Sequence, residues 1–490
     1  MASVAFPPVP TGTLSRRRRV GILLICSMSL LIVSLDVTIV NVALPSIGQQ
    51  FHSRLSGLQW TVDAYTLVLA SLLMLSGSTA DRLGRRRTFV IGLSVFTVGS
   101  LLCSLAPDLS TLVVFRMVQA VGGSMLNPVA MSIITNTFHD ARERAQAVGV
   151  WAAVVGLSMA LGPVIGGVLV SAVGWPSIFW INVPIGVSAI VLALRYVPES
   201  RAAVARKVDG PGQALVIVVM ASLTYGIIEA PDRGWTSPTI VAALSVAGAA
   251  LACFALWERR VHEPLVDLRF FRSVPFAAAT VTAVAAFATL GGFLFLNTLY
   301  LQDVRGLSAL RAGVDTLPMA ALTMIIPPIS GRIVGHRGSR GPLLVAGAAI
   351  AVGCLLLTRL TSTTPFGLLF CAYAVFGFGF GFVNAPITHA AVSGMPRAQA
   401  GVAAAIASTS RQVGSTLGVA VVGVLVSSSL NARSGAGFAT ASRAGWWVLT
   451  GCGVVILALG VVSTTARAHA SARRTAELLN PEFLEGLTVR

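Results

Sequence analysis

Residues 58–106 read LQWTVDAYTLVLASLLMLSGSTADRLGRRRTFVIGLSVFTVGSLLCSLA. Two apolar runs, 58–79 and 88–106, flank one short charged turn from Asp81 to Arg87. Each run is about the 20 residues that a helix needs to cross the hydrocarbon core of a bilayer. A soluble helical hairpin would spread charge along one face of each helix, whereas here the charge is confined to the turn. The stretch predicts two membrane-spanning helices joined by a tight loop, and the pattern recurs along the chain. Fourteen spans are expected, at 20–43, 58–79, 88–106, 109–133, 145–171, 177–197, 211–230, 237–257, 275–301, 312–333, 341–359, 363–387, 400–429 and 443–466. Composition agrees, with 55% hydrophobic residues, 11% charged residues and a mean hydropathy of +0.82. Soluble domains carry roughly a quarter charged residues, so this chain cannot cover a water-facing surface. The fold class predicted is all-α and integral to a membrane.

The formal net charge of +17 would suggest nucleic acid in a soluble protein. Here the arginines fall as short clusters between apolar blocks, so no nucleic-acid partner is expected. With the N-terminus inside, inner loops and tails collect 26 of the 35 basic residues and the outer side seven, with Arg116 and Arg411 left within spans. The asymmetry predicts that both termini are cytoplasmic in a multi-pass protein of the cell membrane. The apolar run Val20–Val42 is too long for a leader's core and no A-x-A site follows, so it reads as a first span. Six cysteines lie inside apolar blocks without metal-ligand spacing, so no metal is expected. No G-x-x-x-x-G-K-[ST] loop occurs, so neither ATP nor another cofactor is expected to supply the energy.

An internal repeat organises the spans. Gly77-Ser-Thr-Ala-Asp81-Arg82-Leu-Gly84-Arg85-Arg86 follows span 2, and Gly331-Arg-Ile-Val-Gly335-His336-Arg-Gly338-Ser-Arg340 follows span 10. Ala145-Gln146-Ala147 opens span 5 and Ala398-Gln399-Ala400 opens span 13 at nearly the same offset. The expected organisation is a cytoplasmic tail over 1–19, a six-helix half over 20–197 and two inserted helices with loops over 198–274. A second six-helix half over 275–466 and a solvated cytoplasmic tail over 467–490 complete it. Parallel halves place a substrate site between them near the midplane.

Several residues stand out chemically. Asp36, in Leu35-Asp36-Val-Thr38-Ile-Val-Asn41, is the acid deepest inside a span of the first half. An ionised carboxylate is costly there, so Asp36 is a candidate proton carrier, expected to hold a proton much of the time near neutral pH. Asp63 sits one to two turns below the outer surface as a second candidate. Arg116, in Arg116-Met-Val-Gln119-Ala-Val-Gly122-Gly123, costs about 2.5–3.5 kcal/mol to bury within a span, so an idle role is unexpected. Arg411 lies within span 13 and is expected to offset an acid of span 1 or span 2. Span 5 carries Gly156 and then Gly162-Pro163-Val-Ile-Gly166-Gly167, small residues that admit a neighbouring helix around a proline that removes a backbone hydrogen bond. In the loop after span 2, Gly77 and Gly84 allow a sharp turn, and Asp81 can pair with Arg82 or Arg85.

These motifs, in this order, resemble the major facilitator superfamily in its fourteen-span drug:proton antiporter branch. Multidrug exporters of quaternary ammonium compounds and methylenomycin-type resistance proteins belong there. The resemblance covers about residues 20–466. It implies the major facilitator fold, a cytoplasmic gate at Gly77, Asp81, Arg82, Gly84 and Arg85, and proton transfer assisted by Arg116. The glycine-proline run of span 5 resembles the motif regarded as characteristic of exporters. Trp175-Pro-Ser-Ile-Phe-Trp180-Ile-Asn182-Val-Pro184-Ile-Gly186 also resembles the branch, with Pro176-Ser177 in place of the usual Arg-Trp. Ala120 stands where the family has glycine, and Gly335 replaces the acid in the second loop copy.

The expected function is proton-coupled export of small lipophilic drugs or antibiotics, cationic or neutral, by a monomer among membrane lipids. A proton-coupled uptake symporter shares the fold but predicts a more polar cavity lining. A membrane enzyme would need a catalytic cluster, and none is visible in the sequence.

Overall fold

The computed structural model describes residues 15–138, 140–201, 209–261, 264–393, 400–427 and 435–479. The second copy of the Ala-Gln-Ala repeat at Ala398 and Gln399 lies outside the described residues, as do Arg206, Lys207, Arg397, Arg433 and Arg490.

Fourteen of the described helices are long and apolar enough to cross a membrane. In chain order they are α1 (Arg16–Gln50), α2 (Leu55–Leu83), α3 (Arg85–Ser104), α4 (Leu109–Thr137) and α5 (Ala141–Ala172). Next come α6 (Ser177–Trp180 continuing as Asn182–Tyr196), α7 (Gly210–Arg233), α8 (Pro238–Glu258), α9 (Val274–Leu299) and α10 (Leu317–Arg337). The last four are α11 (Arg340–Leu357), α12 (Phe366–Val392), α13 (Ala400–Ser427) and α14 (Gly435–Val462).

Three boundaries differ from the sequence reading. Arg16–Arg19 form the first turn of α1 rather than a tail, because the Ser15 hydroxyl caps the helix by accepting from Arg18 N–H. The region expected as span 10 is broken: Ala309–Asp315 is a separate short helix, and α10 begins at Leu317 with Pro318 in its first turn. Pro318 has no N–H to donate back to the Val314 carbonyl, so the short helix cannot run on and the break falls at Thr316. Ala466–Leu479, expected as part of a solvated tail, is a helix, α15, packed beneath α9. It buries Ala468, Ala472, Thr475 and Leu479 along one stripe, and its Ser471 hydroxyl accepts from Val274 N–H.

Helix pairings repeat at an interval of eight. α1 packs on α5, α2 on α4, α3 on α4 and α3 on α6; likewise α9 packs on α13, α10 on α12, α11 on α12 and α11 on α14. Small residues bring these helices together: Gly122 lies against the backbone of Phe96, and Gly377 against that of Met319. The pair α7–α8 packs on itself and against both α2 and α13. Its polar anchors go to α2, where the Trp60 indole donates to Glu229 at 2.9 Å, Ser56 donates to Asp232 at 2.8 Å and Gln213 donates to the Ser71 carbonyl. Glu229 is therefore an anchor between α7 and α2. Asp315 is likewise buried, paired with Arg311 at 3.1 Å.

The two sets of six helices meet from mid-bundle to the end opposite the termini. There the Gln59 amide donates to the carbonyls of Val419 and Ala420, Thr416 donates to Thr66 at 2.8 Å, and Gln302 donates to the Val42 carbonyl at 2.9 Å.

Candidate functional site

Asp36 and Arg116 lie on α1 and α4, 80 residues apart in sequence, and both are essentially inaccessible to solvent, at 0% and 1% exposure. The structure brings them into a direct ion pair through Arg116 Nη1 and Asp36 Oδ2. Around it the donors are nearly saturated. Gln119 Nε2 donates to Asp36 Oδ1 at 2.8 Å, and Asn182 Nδ2 reaches the same oxygen at 3.3 Å. Arg116 Nη1 also donates to Gln119 Oε1 at 2.9 Å and Nε to the Thr61 carbonyl at 3.2 Å. The guanidinium lies over the Tyr65 ring, 4.2 Å from its centroid. With these donors around it, Asp36 is an ion-pair partner here. The cost of burial that marks Asp36 as a candidate proton carrier is offset here by Arg116, which supplies the countercharge.

The span 5 motif sits against this centre. A Cβ on Gly162 would lie 2.0 Å from Thr38 Oγ1, and one on Gly166 2.6 Å from Ile39 Cγ1, so these glycines let α5 lie directly on α1 just past Asp36. The other edge of the motif faces the second six-helix set. A Cβ on Gly167 would fall 2.5 Å from Leu310 Cα, one on Gly313 2.1 Å from the Pro163 carbonyl, and one on Gly156 3.1 Å from Met324 Cα. α5 thus touches the ion pair's helix on one side and the seam between the halves on the other.

The loop after α2 turns at Gly84, whose φ of +110° suits glycine. Asp81 pairs with Arg85 at 3.1 Å, four residues along. Arg82 is exposed beside it, and Gly77 has open space where a Cβ would stand. Glu199, after α6, accepts from the Arg86 and Arg87 N–H groups at 3.1 and 3.3 Å and so caps α3.

With that geometry in place, comparison with known proteins places the chain. The family model described as Major Facilitator Superfamily matches residues 26–419. The chain belongs to that superfamily. It is 37% identical over 414 residues, 84% of this chain and 76% of the other, to the multidrug resistance protein Stp of Mycobacterium tuberculosis (strain CDC 1551 / Oshkosh). It is 38% identical over 408 residues, 83% of this chain and 76% of the other, to the tetracenomycin C resistance and export protein of Streptomyces glaucescens. Among solved structures, a D-xylose-proton symporter superposes with a TM-score of 0.65 at 14% identity, covering 91% of this chain and 97% of that one.

In this major facilitator the two remaining candidates stand apart from the ion pair. Asp63 on α2 is fully buried, and neither carboxyl oxygen has a hydrogen-bond partner among the described residues. An unpaired charge so placed would cost several kcal/mol, so its surroundings suit the neutral acid. Arg411 on α13 is half-buried and makes no ion pair among the described residues. The expectation that it offsets an acid of α1 or α2 is not met: Asp36 takes Arg116, which approaches from within the same half. Sequence reasoning quoted Gln119 and Asn182 within motifs without assigning them to the site. It did not identify Tyr65, Thr61 or Glu199 as partners. A glutamine one turn after a buried arginine was the available signal, since both can reach the same carboxylate.

Proposed function

We propose that this chain exports small lipophilic drugs or antibiotics, cationic or neutral, across the cell membrane in exchange for protons, by alternating access. The observation that carries this reading is the buried Asp36–Arg116 ion pair on the helix that α5 clasps. A proton reaching Asp36 Oδ2 neutralises the carboxylate and removes the attraction to Arg116. The guanidinium stays held by Gln119, the Thr61 carbonyl and the Tyr65 face. α1 is then free to shift against α4, and Thr38 and Ile39 carry that shift to Gly162 and Gly166 of α5. Because Pro163 and Gly167 lie on the seam with the second half, a change of charge at one carboxylate biases a movement between halves.

The arginine distribution supports cytoplasmic termini. On that orientation, the contacts gathered at the far end hold the two halves together on the outer side. In the proposed gate, Asp81 bonds within its own loop to Arg85. Asp63, neutral and near the outer seam, is a second proton site, and Arg411 contributes a positive charge beside the route. The single lysine, Lys207, follows Arg206 and not glycine, so no phosphate-binding loop can use ATP and the ion gradient is the energy source. The working unit is one chain, which moves its substrate without chemical change. Names of the relatives support drugs or antibiotics as cargo.

The test uses inside-out membrane vesicles with an acidified lumen. A fluorescent lipophilic cation should accumulate against its gradient while the lumen becomes more alkaline. Solute and protons moving in the same direction would replace export with symport.

A further inference from the structure

At the end of the bundle that carries the termini, the starts of α9 and α11 and the ends of α10, α12 and α14 surround a crevice of about 270 Å³. Its ionisable lining is Arg337, Arg340, His389 and His469, with no carboxylate among the lining residues. The two arginines make no ion pair among the described residues. One further lining group points to a ligand: the Ser463 hydroxyl, only 4% exposed, has no hydrogen-bond partner among the described residues. Such a buried hydroxyl normally finds one. Ser339 precedes α11 without capping it, because its hydroxyl is bonded instead to His389 Nδ1 at 3.0 Å. The positive end of α11 is therefore left available to an anion.

Sequence explains why charge is uncompensated here. The loop Gly331–Arg340 is the second copy of the Gly77–Arg86 loop. In the first copy Asp81 bonds to Arg85; in the second, Gly335 stands in the place of that acid. The arginines have no negative partner among the described residues. Val461 and Val462, immediately before Ser463 in sequence, and Val274, immediately before Pro275, are all exposed. A basic pocket whose lining residues follow exposed valines at a helix end fits a phosphate head carried on acyl chains better than a free ion.

We propose that this crevice binds the phosphate of an anionic phospholipid headgroup in the leaflet on the side of the termini. The assignment is independent of the direction of transport. Its test is native mass spectrometry of the full chain, delipidated in detergent and titrated with phosphatidylglycerol or phosphatidylcholine. Wild-type protein should retain phosphatidylglycerol in preference. The double substitution Arg337→Gln and Arg340→Gln should weaken retention by about tenfold or more, since each charge-assisted hydrogen bond is worth over 1.4 kcal/mol. Ser463→Ala, which removes only a hydroxyl, should weaken it by a smaller factor and gives a second reading if the double variant aggregates. Arg259→Gln with Arg260→Gln, exposed at the end of α8, should leave retention unchanged. Equal binding of both lipids, or equal loss in the α8 control, would overturn the site. Complete displacement of the lipid by inorganic phosphate would overturn the lipid assignment.

Discussion

Replacing Arg116 by lysine keeps a positive charge inside the first half yet should cripple export. The guanidinium holds Asp36 and Gln119 through Nη1, the Thr61 carbonyl through Nε, and lies flat on Tyr65. An ammonium is a point donor, so a lysine that reaches Asp36 must release Thr61 and leave the ring face. The loss is one charge-assisted hydrogen bond, about 1.5–3 kcal/mol, and a desolvated cation–π contact of about 1 kcal/mol. If the pair must reform in each cycle, about 2.5–4 kcal/mol slows turnover by about 60- to 700-fold at 1.4 kcal/mol per decade. The assay is proton-driven accumulation of a fluorescent lipophilic cation in inside-out vesicles, normalised to the amount of protein in the membrane. Substrate binding to purified Arg116→Lys should change far less than turnover. Near-wild-type export by this variant would reduce Arg116 to a tolerated buried charge and refute its place in coupling.

Gly162→Ala forces a Cβ to 2.0 Å from Thr38 Oγ1 and 2.9 Å from Thr38 Cβ, overpacking worth about 1–3 kcal/mol. It should slow export and lower the melting temperature of purified protein, with partial recovery in Gly162→Ala/Thr38→Ala; an indifferent Gly162→Ala would separate α5 from the coupling centre. Asp81→Asn breaks a half-exposed pair worth up to about 1 kcal/mol, so membrane abundance should hold while export falls several-fold. Export at full rate would remove the gate assignment. Asp63→Asn replaces an acid whose carboxyl oxygens have no hydrogen-bond partner among the described residues, so the protein should still fold, while fewer protons move per drug molecule exported. An unchanged ratio, measured from paired substrate and pH traces, would exclude Asp63 as a carrier.

Much of this was legible in the sequence, for identifiable reasons. Bilayer-length runs without charge have few alternatives, so all fourteen spans could be placed, and a lone acid or arginine inside one draws the eye because burial is costly. That Asp36 and Arg116 would meet each other was not legible: 80 residues separate them, and Asp63 and Arg411 offered rival partners of the same types. Helix ends beyond the hydrocarbon carry no hydropathy signal, which is why Arg16–Arg19 read as tail although Ser15 was there to cap them. α15 was hidden for a related reason. Its average composition is polar, but Ala468, Ala472, Thr475 and Leu479 recur at helical spacing, a pattern that hydropathy averages erase. The break at Thr316 could have been read from Pro318, whereas the capping of α3 by Glu199 depends on a contact across more than 110 residues.

The proposed coupling rests on Asp36 exchanging Arg116 for a proton, and Asp36→Asn in proteoliposomes measures that directly. Asparagine imitates the protonated side chain and keeps an acceptor for Arg116, although leaving a buried cation without its anion costs about 3–5 kcal/mol. Gradient-independent counterflow of labelled substrate therefore serves as the check that the variant is folded. Wild type and variant are reconstituted side by side, a pH gradient is imposed, and a fluorescent lipophilic substrate is followed together with lumenal pH. The expected result is counterflow retained in Asp36→Asn, with no gradient-driven transport and no substrate-linked proton movement. Gradient-driven transport by Asp36→Asn at the wild-type rate would contradict the assignment and move the coupling acid elsewhere.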